Sequence, residues 1–194
     1  MKRRRKNWKL LLLIIFTTIT FILAFFFFVS GPKEKIKAVA KEKSEGLYEP
    51  AEEKIKRQVT LYFPSTDDDL LHSETREIVA GPAEKEAAEI VAELISGSHS
   101  GYLSPLPSGT TLRQVFITRE GTAFVDFSRE LVEKHPSGSA AEMTTIYAVV
   151  NSLIKNIPAI KQVFILVEGS ERETLSGHIN LNQPFSFLSS LLAR

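Results

Sequence analysis

"SAAEMTTIYAVVNSLIKNIPAIKQVFILVEG", residues 139–169, sets a helix-spaced apolar stripe directly before a short run of apolar residues. Met143, Ile146, Tyr147, Val150, Leu153 and Ile154 recur at three- and four-residue intervals, which puts them on one face of a helix. Ser139 and Glu142 have the Ser-x-x-Glu spacing of a capping box, and Pro158 closes the helix. The following "KQVFILVEG" is apolar on both faces, as a central strand would be.

The same alternation of periods extends upstream. "QVTLYF", 58–63, alternates Val59, Leu61 and Phe63 with Thr60 and Tyr62, a strand with one buried face that Pro64 ends. "STDDDLL" is a polar loop, and "HSETREIVA", 72–80, is a short second strand ahead of Gly81-Pro82. In "AEKEAAEIVAELISG", 83–97, Ala87, Ile90, Val91, Leu94 and Ile95 form a helical stripe opposite Glu86, Glu89 and Glu93. Pro82 suits the first turn, Glu84 and Glu86 suit its positive dipole end, and Gly97 suits the stop. "LRQVFITRE" and "TAFVDFS" pair as a hairpin around Glu120-Gly121. The order β(β)αββαβ predicts a single α+β domain: a two-layer sandwich with a mixed β-sheet and two helices on one face.

The first 57 residues belong to a different kind of structure. Leu10 to Val29 contains no charge and no proline. At about 1.5 Å of rise per residue, these residues match a hydrocarbon core of roughly 30 Å. Six basic residues and Trp8 precede them, which keeps the N-terminus in the cytoplasm and sends the rest outside. A cleaved signal peptide competes with this reading, but its apolar region is usually only about 7–15 residues. The expected organisation is therefore a basic cytoplasmic tail at 1–9, a transmembrane signal anchor at 10–29, a charged linker at 30–57 and an extracytoplasmic domain at 58–194. The linker mixes lysine and glutamate with Gly and Pro breaks, and extends up to about 90 Å at full stretch.

Charge and composition narrow the chemistry. Residues 1–57 hold 14 Lys/Arg against 6 Asp/Glu and residues 58–194 hold 10 against 17, so the segments carry +8 and −7. An acidic domain argues against a nucleic-acid partner and against flat docking on an anionic membrane face. Cysteine is absent, which removes disulfides, thiolate metal sites, thiol nucleophiles and lipid-modified cysteine.

"VTLYFPS", the helix ending "LISG", "LSPLPSGTTL", "VDFS", "AVVNSLIKNIPAIKQVFILVEG" and "LSGHINLNQPF" occur in the order and at the spacing of the GerMN domain. This is the domain of the sporulation and germination protein GerM, also found in LpqB-type lipoproteins. The resemblance covers nearly all of residues 58–188. It implies a small α+β fold similar to ring-building modules, carried outside the membrane on an anchor and acting as a non-catalytic assembly partner. The sequence departs from GerM in having one copy of the domain rather than two, and a membrane helix in place of a lipid-bearing cysteine.

Candidate chemistry centres on Asp126 and Ser128, which share a strand face with Phe124. Asp126 suits a backbone-binding role at the strand end, and Ser128, followed by Arg129-Glu130-Leu131, suits the cap of a short turn. Catalysis at Ser128 requires a neighbouring histidine, and no Gly-x-Ser-x-Gly elbow surrounds it. His72, His99, His135 and His178 are scattered, and Asp67–Asp69 lack the spacing of a calcium loop. No catalytic, cofactor-binding or metal residue is assigned, and no cofactor is expected. "YLSPLPSGT" is expected to be a rigid connector whose Tyr102, Leu103 and Leu106 cover the sheet end. Phe185, Phe187, Leu188, Leu191 and Leu192 either pack on the core or leave a patch for a partner. The leading expectation is a non-catalytic, membrane-anchored domain that binds envelope proteins or the cell wall. The alternatives are an envelope hydrolase of peptidoglycan or ester bonds using Asp126, Ser128 or Glu168, and a small-ligand sensor with an enclosed pocket.

Overall fold

The computed structural model describes Phe16, Thr18, Ile19, Thr20, Ile22, Phe25 and residues 55–194. The first six are helical and exposed, and the Thr20 hydroxyl donates to the Phe16 carbonyl at 3.0 Å, as expected of a threonine in an apolar helix. Among the described residues no helix is long and apolar enough to cross a membrane. Most of the expected anchor at 10–29 lies outside the described residues, as do the tail at 1–9 and the linker as far as residue 54.

Lys54–Arg194 form one compact unit. Strand β1 (Lys56–Pro64) pairs antiparallel with β2 (Leu71–Val79), followed by helix α1 (Ala83–Ser96). Strands β3 (Leu112–Ile117) and β4 (Thr122–Phe127) form the expected antiparallel hairpin. A short helix α2 (Glu130–Glu133), the long helix α3 (Ser139–Asn156) and strand β5 (Gln162–Val167) complete the fold, with β5 parallel to β4. The second strand has the expected length, begins one residue earlier, and matches β1 residue for residue.

The apolar stripes meet in one core. Ala87, Ile90, Val91 and Leu94 of α1 and Ile146, Val149, Val150 and Leu153 of α3 are buried against Val59, Leu61 and Phe63 of β1. The same cluster takes in Ala123, Val125 and Phe127 of β4 and Val163, Ile165 and Val167 of β5. Strand parity leaves Phe124, Asp126 and their neighbours on the opposite, outer face. The tail mostly packs down: Phe185 is buried, and Leu188, Leu191 and Leu192 are half-buried.

The single mixed sheet expected from the sequence is instead two sheets, β1–β2 and β3–β4–β5. Helix α3 is the physical reason. The Asn156 side-chain amide accepts from the Thr60 N–H at 2.9 Å and donates to the Thr60 carbonyl at 2.6 Å. The Ser152 hydroxyl accepts from the Tyr62 N–H at 3.0 Å. These are the main-chain groups a neighbouring strand would need, so β1 cannot join the second sheet. Strand β5 is also not central: β4 is, and Val163 of β5 exchanges two hydrogen bonds with Phe185 of the tail.

The hairpin tip depends on Gly121, which has φ 95°. A Cβ there would lie 2.8 Å from the Ala159 carbonyl oxygen, and the Gly121 carbonyl itself accepts from Lys161 and Gln162. The tip and the α3–β5 connection thus meet in main-chain hydrogen bonds at Gly121, where a side chain has no room.

Asn156→Ala is expected to destabilise the domain by about 1–3 kcal/mol, because both main-chain groups of Thr60 lose their partner. Urea denaturation of the two proteins measures the difference.

Candidate functional site

Strand pairing brings together the polar residues singled out in the sequence. Leu112 pairs with Phe127 and Gln114 with Asp126, so Arg113 is an extra residue in a β-bulge. Its guanidinium donates to Asp126 Oδ2 at 2.9 Å and to Glu168 Oε2 at 3.1 Å. The other oxygen of Asp126 accepts from the Gly169 N–H at 2.8 Å, and Glu168 Oε1 accepts from the Arg129 N–H at 3.0 Å. Glu168 has φ 54°, a left-handed conformation costly for a side chain with a Cβ, and these bonds hold it there. Ser128 Oγ accepts from the Thr111 N–H at 3.0 Å, and the Ser128 N–H donates to the Thr111 carbonyl at the same distance. The hydroxyl also lowers the pKa of Glu130 by hydrogen bonding. Asp126, Ser128 and Glu168 thus tie strand ends and turns together, and none has a histidine partner.

Two buried carboxylates organise the loops: Glu74, which the sequence reading did not single out, and Glu142, which it placed in a capping box. Glu142 does not close a capping box: α3 is preceded by Gly138, with no side-chain cap. Its carboxylate is fully buried and receives the Ser176 hydroxyl at 2.7 Å and the N–H groups of Ser176, His178 and Ile179. The His178 ring also meets it, with Nδ1 3.0 Å away. Serine, histidine and carboxylate therefore lie together, but Ser176 donates to the carboxylate rather than to the imidazole, which is not the order that activates a nucleophile. Glu74 of β2 similarly accepts from the Ser98 hydroxyl and from the N–H groups of His99 and Ser100. Arg76 joins Glu74 to Glu93 of α1 and donates to the Gly97 carbonyl at the helix end. Burial alone would raise both pKa values, but the converging donors lower each from 4.5 to about 2.

What remains open is surface. On the outer face of the three-stranded sheet, Phe116, Phe124 and Phe164 are successive cross-strand partners, and the rings of Phe124 and Phe164 lie 5.4 Å apart. Phe116 is 55 % exposed. A groove of about 350 Å3 runs between the 64–69 turn, the proline-rich loop and the start of α3. There Leu106 is buried and Tyr102 stacks on His72, but Leu103 points outward rather than covering the sheet end. A second groove, of about 490 Å3, lies between α1 and the edge of β3. No group of metal-ligating residues occurs among the described residues.

This order of strands and helices, running from β1 past the end of β5, matches the family model Germane, described as "Sporulation and spore germination", over residues 60–173. The chain belongs to the Germane family. Among solved structures, a candidate lipoprotein of Clostridium perfringens is 25% identical, with a TM-score of 0.50 over 68% of this chain and 87% of that one. The tandem GerMN domains of the sporulation protein GerM from Bacillus subtilis are 21% identical, with a TM-score of 0.56. That likeness covers 68% of this chain and 46% of the tandem pair. No curated protein matches the chain. The GerMN resemblance read from the sequence therefore holds, and the Germane domain here is an α+β unit with two sheets.

Two outcomes follow for the Germane domain. Stability supplied by Glu74 and Glu142 is fully present above the unfolded pKa of 4.5 and disappears as pH falls towards the folded value of about 2. Each contributes on the order of 3 kcal/mol, so Glu142→Gln is expected to lower the urea midpoint near neutrality and to flatten its fall across that acid window. Asp126→Ala is expected to cost about 1 kcal/mol in the same assay, because Gly169 loses an acceptor where water substitutes in part. The Arg113 ion pair adds little to that cost, since Arg113 is 44% exposed.

Proposed function

We propose that the chain is a membrane-anchored extracytoplasmic domain that assembles with other proteins of the bacterial envelope and performs no catalysis. The observation that carries this reading is the aromatic row on the outer sheet face, where Phe116 is left 55 % exposed. A large aromatic standing in water on a sheet is a favourable anchor for a partner surface. Next to it, the carboxylates of Asp126 and Glu168 are bonded to Arg113 and to main-chain N–H groups, a structural use that supports binding rather than turnover.

Other features support the location. The twenty uncharged residues from Leu10 to Val29, preceded by a basic segment, suit a single-pass anchor with a cytoplasmic N-terminus. Residues 30–57 then tether the domain at 58–194, with a reach of up to about 90 Å. A structural neighbour described as a candidate lipoprotein is consistent with an envelope setting, and the family description points to a process of the sporulation or germination kind. The partner in this reading is an envelope protein; the cell wall is the other surface within reach.

Phe116→Lys is expected to leave stability within about 0.5 kcal/mol, as surface changes usually do, while reducing partner capture in the native envelope at least tenfold. Undiminished capture by this variant would exclude the aromatic face as the contact, and hydrolysis of peptidoglycan or model esters by the purified chain would overturn the non-catalytic reading.

A further inference from the structure

We propose that the edge of β3 accepts an extended strand from a partner protein, one with apolar side chains at alternate positions and a basic residue placed to meet Glu89. The inference rests on the assembly role above and names its contact. The other edges are engaged by the chain itself over part of their length. Asn156 and Ser152 occupy Thr60 and Tyr62 on β1, Phe185 occupies Val163 on β5, and Ala193 donates to the Leu71 carbonyl on β2. Beyond Leu71, β2 turns exposed Ser73, Thr75 and Glu77 to water, a polar edge that discourages pairing.

β3 is different. The Thr118 N–H donates to the Thr122 carbonyl in the hairpin, which sets the parity of the ladder: Phe116 and Gln114 turn their main-chain groups to β4. The N–H and C=O of Val115 and Ile117 therefore face outward and have no partner among the described residues. Beside this edge runs the groove of about 490 Å3, lined by Ala88, Ala92 and Ile95 of α1 and by Leu112. The two alanines keep the helix flank low enough for the side chains of an added strand.

An incoming strand would place alternate residues into that groove and the intervening ones beside exposed Phe116, so apolar side chains suit both faces. Charge selects further. Glu86 and Glu93 of α1 are paired with Arg57 and Arg76, whereas Glu89, at the groove, has no ion-pair partner among the described residues. The domain as a whole carries −7 over residues 58–194, with 10 Lys/Arg against 17 Asp/Glu. A strand bearing lysine or arginine opposite Glu89 is the complement.

The test places a photo-reactive side chain at Lys85, on the groove rim, or at Lys155, on the exposed side of α3, in the full chain in its native cells. The captured segment is then sequenced by mass spectrometry. The expected result from Lys85 is an alternating apolar segment of another protein that contains a basic residue. Its yield falls at least tenfold in Val115→Pro, which removes an outward N–H at the cost of some core packing by the Val115 side chain, and in Ala92→Trp, which fills the groove. Hydrogen exchange checks that both variants fold, and the second keeps the test decisive if the first does not. Capture of a second copy, of residues 30–54 of the same chain, of a helical segment or of lipid would overturn the inference. So would a yield that either folded variant leaves unchanged. Capture from Lys155 alone would sink the β3 edge and leave the assembly role standing, whereas capture from neither position would remove both.

Discussion

The side chain of Asn156 does for Thr60 what a neighbouring strand would do: it gives one donor and one acceptor to the same residue. A carboxamide is the only side-chain group built like a peptide bond, and one helical turn earlier Ser152 repeats half of the bond pattern at Tyr62. This pairing fixes α3 along β1 and prevents the two sheets from merging. Much of the layout follows from it. With β1 closed, β5 finds its neighbour in the tail, and the hairpin of β3 and β4 projects its outer face away from both helices.

Loop geometry has a second source. Glu74 and Glu142 lie inside the protein, where an isolated charge is very costly, and both remain ionised because several N–H and O–H groups point at each one. A carboxylate has room for about four hydrogen bonds, so one residue can organise a whole turn. Glu74 gathers residues 98–100 and Glu142 gathers 176–179, two connections with little apolar content of their own. Arg76, packed over the ring of Phe63, extends the first of these networks to the end of α1.

Much of this was legible in the sequence, and the missing parts share a cause. Both long helices and the hairpin carry strong periods, so their existence and buried faces could be read directly. The structural roles of Asp126 and Ser128 followed from strand parity and from the absence of a neighbouring histidine. The division into two sheets was not legible, because it depends on Asn156 meeting Thr60 across 96 residues, and an asparagine in the last turn of a helix has no distinguishing pattern. Glu142 was misread for the opposite reason: its local spacing fits a capping box, and tertiary donors outcompete it. The outer-face pairing of Phe116 with Phe124 was available from the hairpin register around Glu120-Gly121, whereas the bulge that aims Arg113 had no signal in the sequence.

The long ladder between β1 and β2 has a mechanical meaning. The folded unit is entered at its N-terminal side through β1, whose nine residues all pair with β2 while Asn156 grips the opposite edge. Tension applied at Lys56 along the strand axis therefore loads those hydrogen bonds together, in shear, instead of opening them one after another from an end. A domain hung from its N-terminal segment is best secured by just such a strand, since the first element to feel a pull is also the one most widely bonded.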